Sequence, residues 1–122
     1  MWCIDKTKPI YPQICERLCV AIVNKELAPK NKISSVRELA LLLSVNPNTV
    51  QKSYDSLEKK GVIYSVRGSG WFVSENVDIA LDIVKEVFLK KTFEYLKDME
   101  ILGYDKEAVI AYLNNEDGGM KK

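Results

Sequence analysis

Apolar residues recur along this chain at two different periods, and the changes of period mark out its elements. From Tyr11 onward, Ile14, Leu18, Ala21 and Ile22 follow at three- and four-residue spacing, one face of a helix that reaches to about Lys25. Pro12 suits the first turn of that helix, where a missing N–H costs nothing. The stretch from Leu27 to Lys32 is a turn. Ser35-Val36-Arg37-Glu38 then has the form of a capping box, and a second helix runs on through Leu39, Ala40, Leu42 and Leu43. Ser44-Val45-Asn46 makes a tight connection, with Asn46 as N-cap and Pro47 at the first position of a third helix. That helix buries Val50, Tyr54 and Leu57 at i, i+4 and i+7, and Gly61 ends it as a left-handed cap.

The period then shortens. Val62–Val66 and Trp71–Val73 are short β-type runs, and Arg67-Gly68-Ser69-Gly70 between them is a hairpin signature. The order helix, helix, turn, helix, hairpin defines a winged helix-turn-helix. A boundary is expected near Ser74-Glu75-Asn76, which divides the chain into a winged domain at 1–74 and a helical extension at 75–122.

The extension opens with a long helix from about Val77 to Leu102, stops at Gly103, and resumes as a shorter helix from Asp105 to about Asn114; Asp117 to Lys122 is expected to fray. Val77, Ala80, Leu81, Val84, Phe88, Tyr95, Met99 and Leu102 form one apolar stripe, and Ile79, Ile83, Val87, Phe93 and Leu96 widen it. A helix apolar over more than one narrow face must be buried on more than one side. The shorter helix covers one side, and a second copy of the protein, meeting Leu81, Val84, Phe88 and Tyr95, is expected to cover the other. The expected fold class is therefore mainly α with a small β-hairpin, a winged helix-turn-helix plus a two-helix dimerisation extension.

Charge sharpens this division. The net charge is only +1, but residues 1–74 hold eleven Lys and Arg against six acids, 11 − 6 = +5. Residues 75–122 hold seven against eleven, 7 − 11 = −4. The basic half is the candidate partner of phosphate, and the acidic half is expected to stay away from it. No apolar run approaches the roughly 20 residues that a bilayer span needs, and the N-terminus lacks the basic and apolar regions of a signal peptide. A cytoplasmic protein with no membrane partner is expected.

Reading base edges in the major groove takes side chains that both donate and accept hydrogen bonds, or cations that bind bidentately. Asn46, Asn48, Thr49, Gln51 and Lys52 cluster in the first turns of the third helix, where helix-turn-helix proteins approach base edges. Each alone also fits a cap or a solvated surface. Arg37 lies in the first turn of the second helix, where a cation gains nothing from the helix dipole, so an external anion explains it better. Its competing partners are Glu38 and Glu58 in a surface ion pair. Ser34, Ser35, Thr49, Lys52 and Tyr54 offer further phosphate hydrogen bonds, although Tyr54 also fits the core. Gly68 and Gly70 allow close backbone approach at a wing tip, with Arg67 reaching the phosphates or the minor groove. Since the glycine loop opens no helix, it does not suit a nucleotide.

The sequence carries no histidine, no HExxH, no GxSxG and no Walker A, so neither catalysis nor a cofactor is expected. Cys3, Cys15 and Cys19 are an odd set without a signal peptide, which argues against disulfides. With so few soft ligands no closed four-ligand zinc site forms within one chain without carboxylates, and no metal is expected.

Three segments resemble the GntR superfamily of bacterial regulators in their order and spacing. They are Ile33-Ser34-Ser35-Val36-Arg37-Glu38-Leu39-Ala40, Val45-Asn46-Pro47-Asn48-Thr49-Val50, and Gly61-Val62-Ile63 followed by Arg67-Gly68-Ser69-Gly70-Trp71-Phe72-Val73. The resemblance covers residues 9 to 74. The family usually has Pro where this chain has Ser34. The short helical tail is similar to that of the YtrA-type subfamily, whose two C-terminal helices serve mainly to dimerise. The resemblance implies DNA contacts at Arg37, Asn46, Asn48, Thr49, Gln51 and Gly68. It also implies a homodimeric repressor on double-stranded DNA with a pseudo-palindromic operator, often that of its own ABC-type transporter operon. Two other readings stand beside this one: a winged-helix module that binds protein, and a thiol- or metal-responsive regulator using Cys15 and Cys19. No residue pattern names a small-molecule effector.

Overall fold

The computed structural model of the protein describes residues 2–115; the expected fraying of 117–122 lies outside them. In chain order the elements are α1 (Ile10–Val23), α2 (Val36–Leu43), α3 (Pro47–Lys60), β1 (Ile63–Val66), β2 (Gly70–Val73), α4 (Asp78–Ile101) and α5 (Lys106–Asn115). The expected mainly α fold with one hairpin is what the chain adopts.

Local chemistry explains most of the boundaries. The capping box at α2 is complete: Glu38 N–H donates to Ser35 Oγ (3.1 Å), and Ser35 N–H donates to Glu38 Oε1 (2.9 Å). Ser44 closes α2 in the left-handed conformation (φ 56°, ψ 49°), and Val45 N–H returns to the Ala40 carbonyl at 3.0 Å. That single reversal turns the chain toward α3. Asn46 Oδ1 accepts the Asn48 N–H (2.8 Å), Pro47 starts the helix, and Gly61 ends it at φ 87°.

Ile14, Leu18, Cys19 and Ile22 of α1, Leu39, Ala40 and Leu43 of α2, and Val50, Tyr54 and Leu57 of α3 enclose one core with Val62, Ile63 and Val73. The hairpin is antiparallel, pairing Ile63 with Val73 and Val66 with Gly70. Lys32 extends it as an isolated bridge to Phe72. At its inner edge Val73 is buried, while Tyr64 and Phe72 stack with centroids 5.6 Å apart.

The compact unit that holds this core runs from Met1 to Lys85, past the boundary expected at residue 74. Ala80 is buried in the core, and Val77, Ile83 and Val84 pack against it. The first turns of α4 thus belong to the winged unit. Val84, expected at a dimer seam, is half-buried against that core; Leu81, in the same unit, lines a cleft of about 290 Å³ with Ile22, Val23, Leu27, Pro29 and Val77.

The second unit, Glu86–Lys122, contains the rest of α4 and α5. Asp105 Oδ1 caps α5 by accepting the Ala108 N–H (2.9 Å), and Val109 is buried while Leu96 and Met99 are half-buried. Much of the apolar surface of α4 here lies open: Phe88 is 63% exposed, Phe93 62% and Ile101 83%, with Tyr95 also outward. Among the described residues no helix is long and apolar enough to cross a membrane.

Candidate nucleic-acid interface

The residues expected to meet DNA fall on three elements of the first unit. Ser35 and Arg37 stand at the start of α2, Asn48, Thr49, Gln51 and Lys52 on the first turns of α3, and Arg67 and Gly68 at the hairpin tip. All but Thr49, which is half-buried, are exposed.

Arg37 has no ion pair among the described residues, and neither does Arg67. Both acids that compete for Arg37 are engaged elsewhere. Glu38 bonds Ser35 in the capping box, and those bonds hold its carboxyl below the usual carboxylate range. Glu58 Oε2 accepts both the Ser65 N–H (3.1 Å) and the Ser65 Oγ–H (2.7 Å). The second pairing also ties the last turns of α3 to β1, so the hairpin is held against the helix by a carboxylate as well as by the core. Nothing in the local sequence pattern marks Glu58 for this, because its partner lies seven residues away on another element.

On α3 the exposed polar side chains have different partners. Asn46 has its side-chain carbonyl on the Asn48 N–H, so it is a cap, with its amide N–H groups left to donate. Gln51 Nε2 donates to Asp55 Oδ1 at 2.8 Å, one helical turn on, which leaves Oε1 as an acceptor and orients the amide. The i, i+4 spacing of Gln51 and Asp55 is the sequence signal for this pair. Lys52 holds its ammonium 4.8 Å from the centre of the Tyr11 ring on α1. Thr49 uses its carbonyl to accept the Ser53 hydroxyl at 2.8 Å.

Ser34 and Tyr54 are supports. Tyr54 is wholly buried, its hydroxyl donates to the Ser34 carbonyl (2.7 Å), and its ring meets Trp71 edge-on at 5.2 Å. Burial pushes its phenol far above its ordinary value. Tyr54 therefore offers nothing to phosphate. Ser34, half-buried, gives its carbonyl to Tyr54 and keeps its hydroxyl for a ligand.

The hairpin tip needs its glycines for two reasons. Gly68 has φ 81° with open space where a Cβ would stand, whereas at Gly70 (φ 118°) a Cβ would come 3.0 Å from Lys32 Cε. Gly68 offers its backbone outward; Gly70 admits the lysine stem beneath the wing.

Cys3 is exposed, Cys15 half-buried and Cys19 buried. Cys15 Sγ contacts the Ser53 carbonyl at 3.7 Å. Burial raises both thiols, Cys19 to about 12, so both stay protonated at neutral pH and are poor nucleophiles. Among the described residues no group of three or more His, Cys, Asp or Glu is placed to hold a metal.

A three-helix core, a capped helix that presents amides and hydroxyls, and a wing with a free arginine define a winged helix-turn-helix DNA-binding regulator. Residues 10–73 match the family of bacterial regulatory proteins known as the gntR family, and the chain belongs to it. It is 39% identical over 114 residues to the HTH-type transcriptional repressor YtrA of Bacillus subtilis, covering 93% of this chain and 88% of that one. A GntR family transcriptional regulator from Listeria monocytogenes superposes with a TM-score of 0.78 at 36% identity, over 91% of this chain and 97% of the other. The structure of AraR(DBD) in complex with operator ORE1 matches with a TM-score of 0.51 at 33% identity, over 52% of this chain and 78% of that one. The chain is a YtrA-like member whose business is DNA binding and transcription regulation, not catalysis.

Proposed function

We propose that the protein is a homodimeric repressor acting in the cytoplasm on a pseudo-palindromic operator, with its own transporter operon as a candidate target. The observation that carries this reading is the exposed surface formed by Arg37, α3 and Arg67, with Glu38 and Glu58 bonded to Ser35 and Ser65 and Asp55 holding the Gln51 amide. Each copy inserts α3 into a major groove and sets its wing on the flanking backbone. Ser34, Ser35, Thr49 and Lys52 contribute phosphate contacts, and Asn48 and Gln51 read bases, with the Asn46 amide group beside them. Phe88 and Tyr95, outward on α4, pair two copies. Two-fold symmetry then places half-sites about one helical turn apart.

If each copy neutralises about four phosphates, a dimer releases about eight counterions, and log K against log salt falls with a slope of about −7. A fluorescence-anisotropy titration from low to physiological salt measures it. A flat line sinks the mechanism. Base readout has its own test in Gln51→Ala, which is expected to relax preference at one position of each half-site by about 1–3 kcal/mol while leaving the salt slope unchanged. A binding selection that returns the wild-type consensus from the variant moves the readout to another residue.

A further inference from the structure

The segment ahead of α1 is built rather than loose. Asp5 N–H donates to Gln13 Oε1 (2.8 Å), and Gln13 Nε2 donates back to the carbonyls of Asp5 (2.8 Å) and Pro9 (3.0 Å). Lys8 N–H donates to the Asp5 carbonyl at 3.2 Å. The Asp5 carboxylate accepts the N–H and hydroxyl of Thr7 and lies 4.0 Å from Lys8 Nζ. Chain ends ordinarily fray unless something ties them down; here Gln13 does so.

From this arm Lys6 Nζ donates to the Ser44 carbonyl at 2.9 Å, across 38 residues of sequence. Ser44 is the left-handed residue that turns the chain from α2 into α3, and its carbonyl lies at the negative end of α2. Two residues on, Asn46 caps the helix whose first turns enter the groove. A lysine ammonium has three donors, so one bond to Ser44 leaves two for another acceptor. At the start of α1, the Tyr11 ring holds the Lys52 ammonium, and the Tyr11 hydroxyl bonds Ser56 Oγ at 3.1 Å. Two cations are therefore fixed along the border of α3, each held by something other than a carboxylate.

We infer that the N-terminal arm is a phosphate-binding element, with Lys6 contacting the DNA backbone beside the start of α3. The inference rests on the DNA-binding reading above and adds a contact that the wing and α3 do not supply. A phosphate at this position takes the two remaining Lys6 protons while Ser44 keeps the third, so the lysine needs no rearrangement on binding. The contact is blind to sequence, because it reaches no base.

The test compares wild type, Lys6→Gln, Lys6→Arg and Lys25→Gln on two labelled duplexes of about 30 base pairs, three helical turns, one of mixed arbitrary sequence and one recovered by random-sequence selection. Lys6→Gln keeps a donor for the Ser44 carbonyl but loses the charge. It is expected to weaken binding to both duplexes by the same factor, about five-fold per copy and so about 25-fold for a dimer near 0.1 M salt, and to make the salt slope shallower by about 0.9 per copy. Lys6→Arg restores the slope, and Lys25→Gln, an exposed charge just past the end of α1, leaves it unchanged. A merely structural Lys6 lowers the melting temperature and leaves the slope at its wild-type value, which overturns the inference. So does a loss confined to the selected duplex. A wild-type slope of zero overturns the DNA-binding reading itself, a result separable from failure of the arm alone.

Discussion

Tyr54→Ala is expected to destabilise the winged unit by about 4 kcal/mol, within the range for removing a fully buried aromatic side chain. The residue has 0% exposure and joins three pieces of the site at once. Its backbone carries the middle of α3, its hydroxyl fixes the Ser34 carbonyl just ahead of α2, and its ring edge rests on Trp71 of β2. Removing it opens a cavity and severs α3, the turn ahead of α2 and the wing from one another. Tyr54→Phe isolates the polar part. It keeps the ring against Trp71, worth about 0.5–1.5 kcal/mol, and loses only the bond to Ser34, at a cost of about 1–2 kcal/mol. Urea unfolding followed by tryptophan fluorescence measures both, and the ratio of the two losses is the informative quantity. If Tyr54→Phe costs as much as Tyr54→Ala, the hydroxyl and not the packing is what joins the elements. If neither shifts the midpoint, Tyr54 joins nothing.

Much of this site was legible because its devices are local. The Ser35–Glu38 box, the Asn46 cap with Pro47 behind it and the Gly61 terminus each depend on neighbours within four residues, so the sequence pattern reports them directly. The wing was legible for the same reason, through its glycines. What the pattern does not report is contact across elements. The Glu58–Ser65 and Lys6–Ser44 bonds join side chains to positions that share no periodicity with them. Tyr54 shows the remaining ambiguity: an aromatic with a hydroxyl at a helical core position serves the core or a phosphate equally well until Trp71 and Ser34 are seen around it.

The helical extension is less legible for a different physical reason. The wide apolar stripe of α4 reads as one helix covered on one side by α5 and on the other by a second copy, but the helix serves two compact units in succession. Ala80, Ile83 and Val84 complete the core of the first, and beyond Lys85 Phe88, Phe93 and Tyr95 stand outward. The polar run Ser74-Glu75-Asn76 resembles a linker, yet Ser74 N–H bonds the Val62 carbonyl at 3.1 Å and Lys30 pairs with Glu75 at 3.7 Å.

Two truncations separate these roles. A chain ending at residue 85 retains Val77, Ala80, Ile83 and Val84 on the core, so its stability is expected to fall within about 1 kcal/mol of the winged unit in the whole protein. A chain ending at residue 74 exposes the apolar surface those side chains cover. At about 25 cal/mol per Å², with three of the four only partly buried, the loss is about 3–5 kcal/mol. Thermal unfolding distinguishes them, and equal stability would return the boundary to residue 74. The 1–85 chain also tests the second role of α4. Without Phe88 and Tyr95 it is expected to sediment as a monomer, and an operator with two half-sites should bind it at least about 100-fold more weakly, because the second half-site is no longer engaged intramolecularly. Its affinity for a single half-site should be unchanged, since α3, the wing and Arg37 remain intact. Should the 1–85 chain stay dimeric, the pairing surface lies within the winged unit, and the outward aromatics of α4 have some other use.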